Sequence, residues 1–270
     1  MKTIEEALKE VERIVQENKH SNDLVYFQYH RERFRKMAET VCSKLPKGSA
    51  VLDIGSHYLH SSILLSLLGY RVDCMDVTEF CTLPFIQERA AAYGLKQIEE
   101  NNLEKLTSLS EGENKYDLIL FAEIFEHITF NPIGFWQRIH SLIKQHGSIY
   151  ISTPNSLTIY AIIKTLYKVI TLKGIGLDVS AIFPTVTYGH HWKEYSASEI
   201  KTYFNILNNG FQVSITKFNY KPKESTGTLK SSIRNGLLQL GNSIPYFREA
   251  LEVWVTVDKS QPFNVNIPQY

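Results

Sequence analysis

Between residues 50 and 154 the chain alternates short apolar runs with helical patterns, and this alternation constrains the fold more than any other feature. "AVLDI" reads as a buried strand, and "LHSSILLSLLG" as a helix closed by Gly69. "RVDCMDV" follows as a strand, then "PFIQERAAAYG" as a helix that opens on Pro84 and ends at Gly94. "YDLILFAE" is a strand, "PIGFWQRIHSLIKQHG" a helix and "SIYIST" a strand. Strands joined through helices pair in parallel, because each crossover returns the chain to the starting edge. The expected fold class is α/β, a doubly wound sheet with helices on both faces.

The flanks elaborate that unit. Ile4, Leu8, Val11 and Ile14 repeat at helical spacing, and a second helix runs through "YFQYHRERFRKMAETVCSKL", so residues 1–45 read as an N-terminal helical cover. The alternation breaks over residues 156–195, which hold an amphipathic segment and the aromatic, His-rich "FPTVTYGHHWKEY". "SASEIKTYFNILNNG" is a helix capped by Ser196 or Ser198, "FQVSITKF" a strand, residues 221–248 a second insert, and "LEVWVTVD" a last strand. The whole chain, 1–270, reads as one domain, with both inserts as helical lids that build an acceptor pocket over the carboxyl edge of the sheet.

Composition narrows the partners. Basic and acidic side chains number 29 and 28, a net charge of +1, which argues against a nucleic-acid partner. The three cysteines, Cys42, Cys74 and Cys81, lack metal spacing and read as reduced core thiols of a cytoplasmic protein. The N-terminus is too charged for a secretory signal. "SLTIYAIIKTLYKVITLKG" is interrupted by Lys164 and Lys168, which suits an amphipathic helix on a groove or a membrane surface better than a transmembrane segment.

The first turn carries the chemistry. Gly55 follows the first strand and permits close backbone approach, and Asp76 ends the second strand about twenty residues on, where a carboxylate accepts from ribose hydroxyls. A dinucleotide pyrophosphate needs further glycines, and here His57 and Leu59 stand in their place. A nucleoside cofactor without phosphates, S-adenosylmethionine, is less demanding at that point.

These segments resemble the class I S-adenosylmethionine-dependent methyltransferases over roughly residues 25–258. "VLDIG" looks like the family's first motif and "VDCMDV" its second, "YDLILFAEIFEHI" its fourth-strand motif, and "GSIYISTPN" its fifth. "HHWKEYSASEI" with "NNGFQV" resembles the lead into the sixth strand. The resemblance implies a Rossmann-like seven-stranded sheet, mostly parallel with an antiparallel last strand, and S-adenosylmethionine as methyl donor. It implies a cofactor site at Asp53, Gly55, Ser56, His57, Asp76, Val77, Asn102, Leu103 and Glu123. Asn101 or Asn102 stands where an acid often meets the adenine, and Ser56 and His57 are placed to contact the methionine carboxylate.

In "EIFEH", Glu123, Glu126 and His127 fall at i, i+3 and i+4, which one helical turn would bring to one side. His127 suits a general base for a hydroxyl, or else the Glu–His pair orients a loop. The catalytic assignment is His127 with Glu126 and His191. The pattern also resembles some small-molecule and RNA ribose methyltransferases, where a later histidine, here His190 or His191, completes a divalent site; no metal is assigned. Tyr188, Trp192 and Tyr195 would form an aromatic wall. Tyr29, His30, Arg31 and Arg33 either close over the cofactor or form a solvated face. The expected activity is O-methylation of a small molecule or sugar-containing intermediate. The alternatives are metal-assisted RNA ribose methylation and an inactive scaffold of the same fold. The oligomeric state is left open.

Overall fold

The computed structural model describes residues 2–18, 21–109, 113–176, 183, 191–220, 228–260 and 262–266. Seven strands form one sheet: β1 (Ala50–Ile54), β2 (Arg71–Asp76), β3 (Lys96–Glu99), β4 (Tyr116–Ala122), β5 (Ile143–Pro154), β6 (Phe211–Phe218) and β7 (Ala250–Val257). Their order is β3-β2-β1-β4-β5-β7-β6. The first five are parallel, and β7 inserts antiparallel between β5 and β6. The sheet reverses its order between β1 and β4, so the crevice at their carboxyl ends is the position for a ligand in such a fold.

The described α-helices are α1 (Ile4–Glu17), α2 (Ser21–Lys44), α3 (His60–Leu67), α4 (Thr78–Cys81), α5 (Pro84–Ala92), α6 (Pro132–Leu142), α7 (Ile159–Ile170), α8 (Ala197–Leu207) and α9 (Leu229–Ser243). Two cores form because side chains alternate across a strand. Val51, Leu118 and Leu120 pack under α1, α2 and α3, whereas Leu52, Ile119 and Phe121 pack under α6 and α8. Trp136 lies buried in the second core, as expected of a helix on the sheet layer, and its indole N–H donates to the Tyr203 hydroxyl at 2.7 Å. Of the two candidate caps of α8, Ser196 is the one used, in a reciprocal capping box with Glu199.

Three local readings are corrected. β3 is only four residues long with one buried side chain, Ile98, too little pattern for a sequence run. The sixth helix stops at Leu142 instead of continuing to Gly147, and β5 begins at Ile143. Pairing overrides periodicity there: Ile143 is buried opposite Tyr116, and Lys144 donates to both Asp117 carboxylate oxygens at 2.9 Å. Among the cysteines, all free, Cys74 is buried, while Cys42 and Cys81 are half-buried. α7 and α9, within the two inserts, pack against each other. Tyr188 and His190 lie outside the described residues.

Candidate active site

The β1–α3 turn is built as a glycine loop would be, largely without glycines. Gly55, His57 and Leu59 have φ values of 74°, 47° and 65°, so left-handed backbone recurs at alternate positions. Only Gly55 is sterically compelled. A Cβ there would stand 2.7 Å from Ile124 Cγ1 and closer still to Cδ1. For His57 and Leu59 the left-handed region costs on the order of 1–2 kcal/mol each, and it persists because surrounding contacts over-determine the turn. The His57 N–H donates to Asp76 Oδ2 at 2.6 Å, and Arg89 Nη1 donates to the Tyr58 carbonyl at 3.1 Å. Arg89 Nη2 also bonds Asp23 Oδ2 at 2.5 Å, and Asp23 Oδ1 lies 2.7 Å from His60 Nε2. The junction of the N-terminal cover is thereby tied to the turn through buried charge.

Behind the turn opens a cavity of about 590 Å³, within the roughly 300–1,000 Å³ of small-molecule sites. Gly55, His57, Asp76, Val77, Asn102, Leu103, Glu123 and His127 all line it, and Ile54, Met75, Ile124 and Phe130 supply apolar walls for a flat ring. Ser56 lines a smaller adjoining recess with Arg33 and Tyr26. Asp53 stands apart from both: it is fully buried on the α3 face of β1, where its Oδ2 accepts from Ser61 at 2.5 Å and Ser62 at 2.6 Å. In this arrangement Asp53 clamps α3 to the sheet.

Asp76 accepts from the His57 and Val77 N–H groups, Val77 at 2.8 Å. Burial outweighs these bonds and pushes its carboxyl up to about 6. The His57 ring packs among Tyr26, Tyr58 and Phe80, with centroids at 4.5, 3.8 and 4.5 Å. Burial pulls its pKa down to about 3, so the imidazole is neutral beside the cofactor crevice. At the end of the cavity beyond β3 both amides are engaged: Asn101 is bonded to Thr78, and Asn102 Oδ1 accepts from the Lys105 N–H at 3.1 Å. Glu100, lining the same end, accepts from the Asn102 and Ser108 N–H groups.

The "EIFEH" turn differs from the helical expectation. Only Phe125–His127 form a short 3-10 turn, and Glu123 precedes it at φ 60°. Glu123 therefore parts from Glu126 and His127. It pairs with Arg33, Nη1 to Oε1 3.4 Å, and accepts from Tyr220 at 3.3 Å. Arg33 is 2% exposed and also bonds the Tyr26 hydroxyl at 3.2 Å, while Arg31 joins a surface network with Glu5, Glu12 and Glu32. Of the four residues in that N-terminal group, Arg33 thus faces the site and Arg31 the solvent. Arg33 shares the helical stripe of Met37 and Val41, a signal for burial that charge alone obscures.

Glu126 is 1% exposed, and Thr153 Oγ1 donates to its Oε2 at 2.9 Å. Its Oε1 is buried without a hydrogen-bond partner, and burial raises its pKa. The Glu126 carbonyl accepts from the Trp192 N–H at 3.0 Å, which draws the "HHWKEY" segment onto the turn. His191 then meets His127 edge to face at 4.9 Å between centroids. One ligand atom each from Glu126, His127 and His191 lies within 4.8 Å of the others. The three assigned catalytic residues come together; Glu123 is outside that group. Of the aromatic residues read as a wall, Tyr195 is buried against Phe125 at 4.7 Å and Trp192 is exposed.

A Rossmann-like sheet with an antiparallel β7, an acid at the tip of β2 and a nucleoside-sized crevice between them define a class I S-adenosylmethionine-dependent methyltransferase. A family model described as "Methyltransferase domain" matches residues 27–214, and the chain belongs to that family. Solved structures agree on the fold. Magnesium protoporphyrin IX methyltransferase of Synechocystis with bound S-adenosylhomocysteine is 16% identical, TM-score 0.52, over 85% of this chain and 84% of that one. A methyltransferase from Archaeoglobus fulgidus is 19% identical, TM-score 0.50, over 86% and 99%. The Burkholderia thailandensis 1,6-didemethyltoxoflavin-N1-methyltransferase is 15% identical, TM-score 0.53, over 88% and 86%. No curated protein matches the chain in sequence. The methyl donor is S-adenosylmethionine.

Proposed function

We propose that this enzyme methylates a hydroxyl of a small molecule or sugar-containing biosynthetic intermediate, with His127 as general base. The observation that carries the reading is the placement of His127 on the wall of the cofactor cavity, backed by the buried Glu126 carboxylate and by His191. The bound donor supplies an electrophilic methyl group on a sulfonium. Asp76 accepts from the ribose hydroxyls, the left-handed turn offers backbone groups to the amino-acid tail, and Arg33 sets a buried cation beside that recess. His127 takes the hydroxyl proton as the acceptor oxygen bonds the methyl carbon and the carbon–sulfur bond breaks. Glu126 and His191 orient the imidazole and stabilise its charged form. Most of the acceleration in such an in-line transfer is positioning.

A second reading has its own support. One carboxylate and two imidazoles suit Mn²⁺, Fe²⁺ or Zn²⁺ better than Mg²⁺, and Glu126 Oε1 has no hydrogen-bond partner. Glu126, His127 and His191 would hold the ion, which would lower the pKa of an acceptor hydroxyl; the near-neutral net charge gives RNA no support as that acceptor.

The test is isotopic methyl transfer from labelled donor to an acceptor panel, alongside calorimetry with S-adenosylhomocysteine. His127→Ala is expected to keep the product's affinity within about twofold and to lower turnover about 10²–10⁴-fold. Equal loss of binding in this variant overturns the base assignment. Activity removed by a chelator and restored by Mn²⁺ selects the metal reading.

Binding is also expected to follow Asp76. Its carboxyl, raised to about 6, must be ionised to accept strongly from ribose. Affinity for S-adenosylhomocysteine therefore rises with pH through about 6 and levels above it, weakening about tenfold per unit below. Calorimetry between pH 5 and 8, a window set by that value, checks the slope; a flat profile removes Asp76 from the linkage.

A further inference from the structure

α7 turns its apolar stripe the wrong way for a core helix. Ile163, Leu166, Tyr167 and Ile170 stand at i, i+3, i+4 and i+7, the spacing of one helix face, and all four are exposed, Ile170 at 79%. The buried residue of this helix is instead Lys168, whose ammonium donates to the Gly176 carbonyl at 2.8 Å. Leu172, just past the helix, is 92% exposed. Beside it, α9 exposes Leu229, Ile233 and Leu240, again on one stripe. The two helices touch, with Arg234 over the Tyr160 ring at 5.5 Å. Contiguous apolar surface of this kind marks an interaction site.

Charge says what meets it. Residues 155–176 and 228–248 contain Lys164, Lys168, Lys173, Lys230, Arg234 and Arg248, and no Asp or Glu; Lys168 is the buried one and Arg248 donates to the Lys217 carbonyl, so the face draws its charge from the others. Elsewhere acidic side chains outnumber basic ones, 28 to 23, so the basic excess is local to these two segments. No helix among the described residues is long and apolar enough to cross a membrane. Apolar residues with surrounding cations and no acids are the composition of a helix that lies in the headgroup region of an anionic bilayer.

We propose that the paired α7–α9 face docks the enzyme on an anionic lipid surface. α7 follows β5 after a short connection, and Thr153 near the end of β5 donates to Glu126, so docking would hold that edge near the bilayer. This proposal does not depend on the acceptor or on the base assignment.

Flotation of the full chain with phosphatidylcholine vesicles containing about 30% phosphatidylglycerol, and with pure phosphatidylcholine vesicles, tests it. Wild type is expected to float with the anionic vesicles, to stay behind with the neutral ones, and to release as salt is raised. The double variant Leu166→Gln/Ile170→Gln, both at solvent-exposed positions, should lose at least about tenfold in partitioning. Its S-adenosylhomocysteine affinity should be unchanged, which verifies the fold. Failure to float with either vesicle overturns the proposal. So does sedimentation showing a dimer that the same variant dissociates without any vesicle binding, since a second copy would then cover the face.

Discussion

Asp76→Ala is expected to raise the dissociation constant for S-adenosylhomocysteine by about 10²–10³-fold, through loss of about 3–4 kcal/mol. On the proposed reading the substitution removes the acceptor for two ribose hydroxyls, each a hydrogen bond to a charged group. It also frees the His57 N–H, which the carboxylate holds at 2.6 Å. That bond is one of the contacts that keep His57 at φ 47°, so the turn should relax away from the geometry the amino-acid tail requires. Asp76→Asn retains an acceptor oxygen without the charge and should fall between. Calorimetry reads the affinity and thermal melting the fold; an alanine variant that binds as tightly as wild type would place the nucleoside elsewhere.

Asp23→Ala is expected to cost about 3–5 kcal/mol of folding stability, a large fraction of the roughly 5–15 kcal/mol that a typical domain possesses. The loss arises from what remains. Arg89 is left as a buried cation, and His60 loses its partner at 2.7 Å. Because Arg89 also holds the Tyr58 carbonyl, the cofactor turn should loosen with the N-terminal cover. Urea denaturation measures the change, and pairing Asp23→Leu with Arg89→Met should recover much of it by removing both charges together. The same pair has a pH signature. Burial opposes the Asp23 charge, but the bonds from His60 and Arg89 win and hold its pKa at about 2, below the ordinary 3.8. Its contribution is thus complete above about pH 4 and is lost as pH falls through about 2.

Regular parts of this chain were legible in one dimension because their physics is local. A buried strand needs a short apolar run, as in "AVLDI", and a helix on the sheet needs its stripe and its stop. Gly55 and Asp76 were legible for the same reason, since they fall at the ends of adjacent strands. β3 was not, because four residues with one buried side chain borrow their pairing from β2. The end of α6 was not, because the burial of Ile143 against β4 outweighs a helical pattern that continues past it. Asp53 was assigned to the cofactor from its position, whereas its hydrogen bonds to Ser61 and Ser62 turn it toward α3.

The sequence by itself determined the class of fold and placed Gly55 and Asp76 at the ends of adjacent strands, since these follow from period, strand ends and residue chemistry. The tertiary structure alone decided that Glu123 pairs with Arg33 while Glu126, His127 and His191 converge, and that α7 exposes its apolar stripe. Each of these depends on contacts between segments far apart in the chain, and on a left-handed residue that no spacing rule anticipates. Whether a side chain closes a site or faces water is fixed by what packs over it.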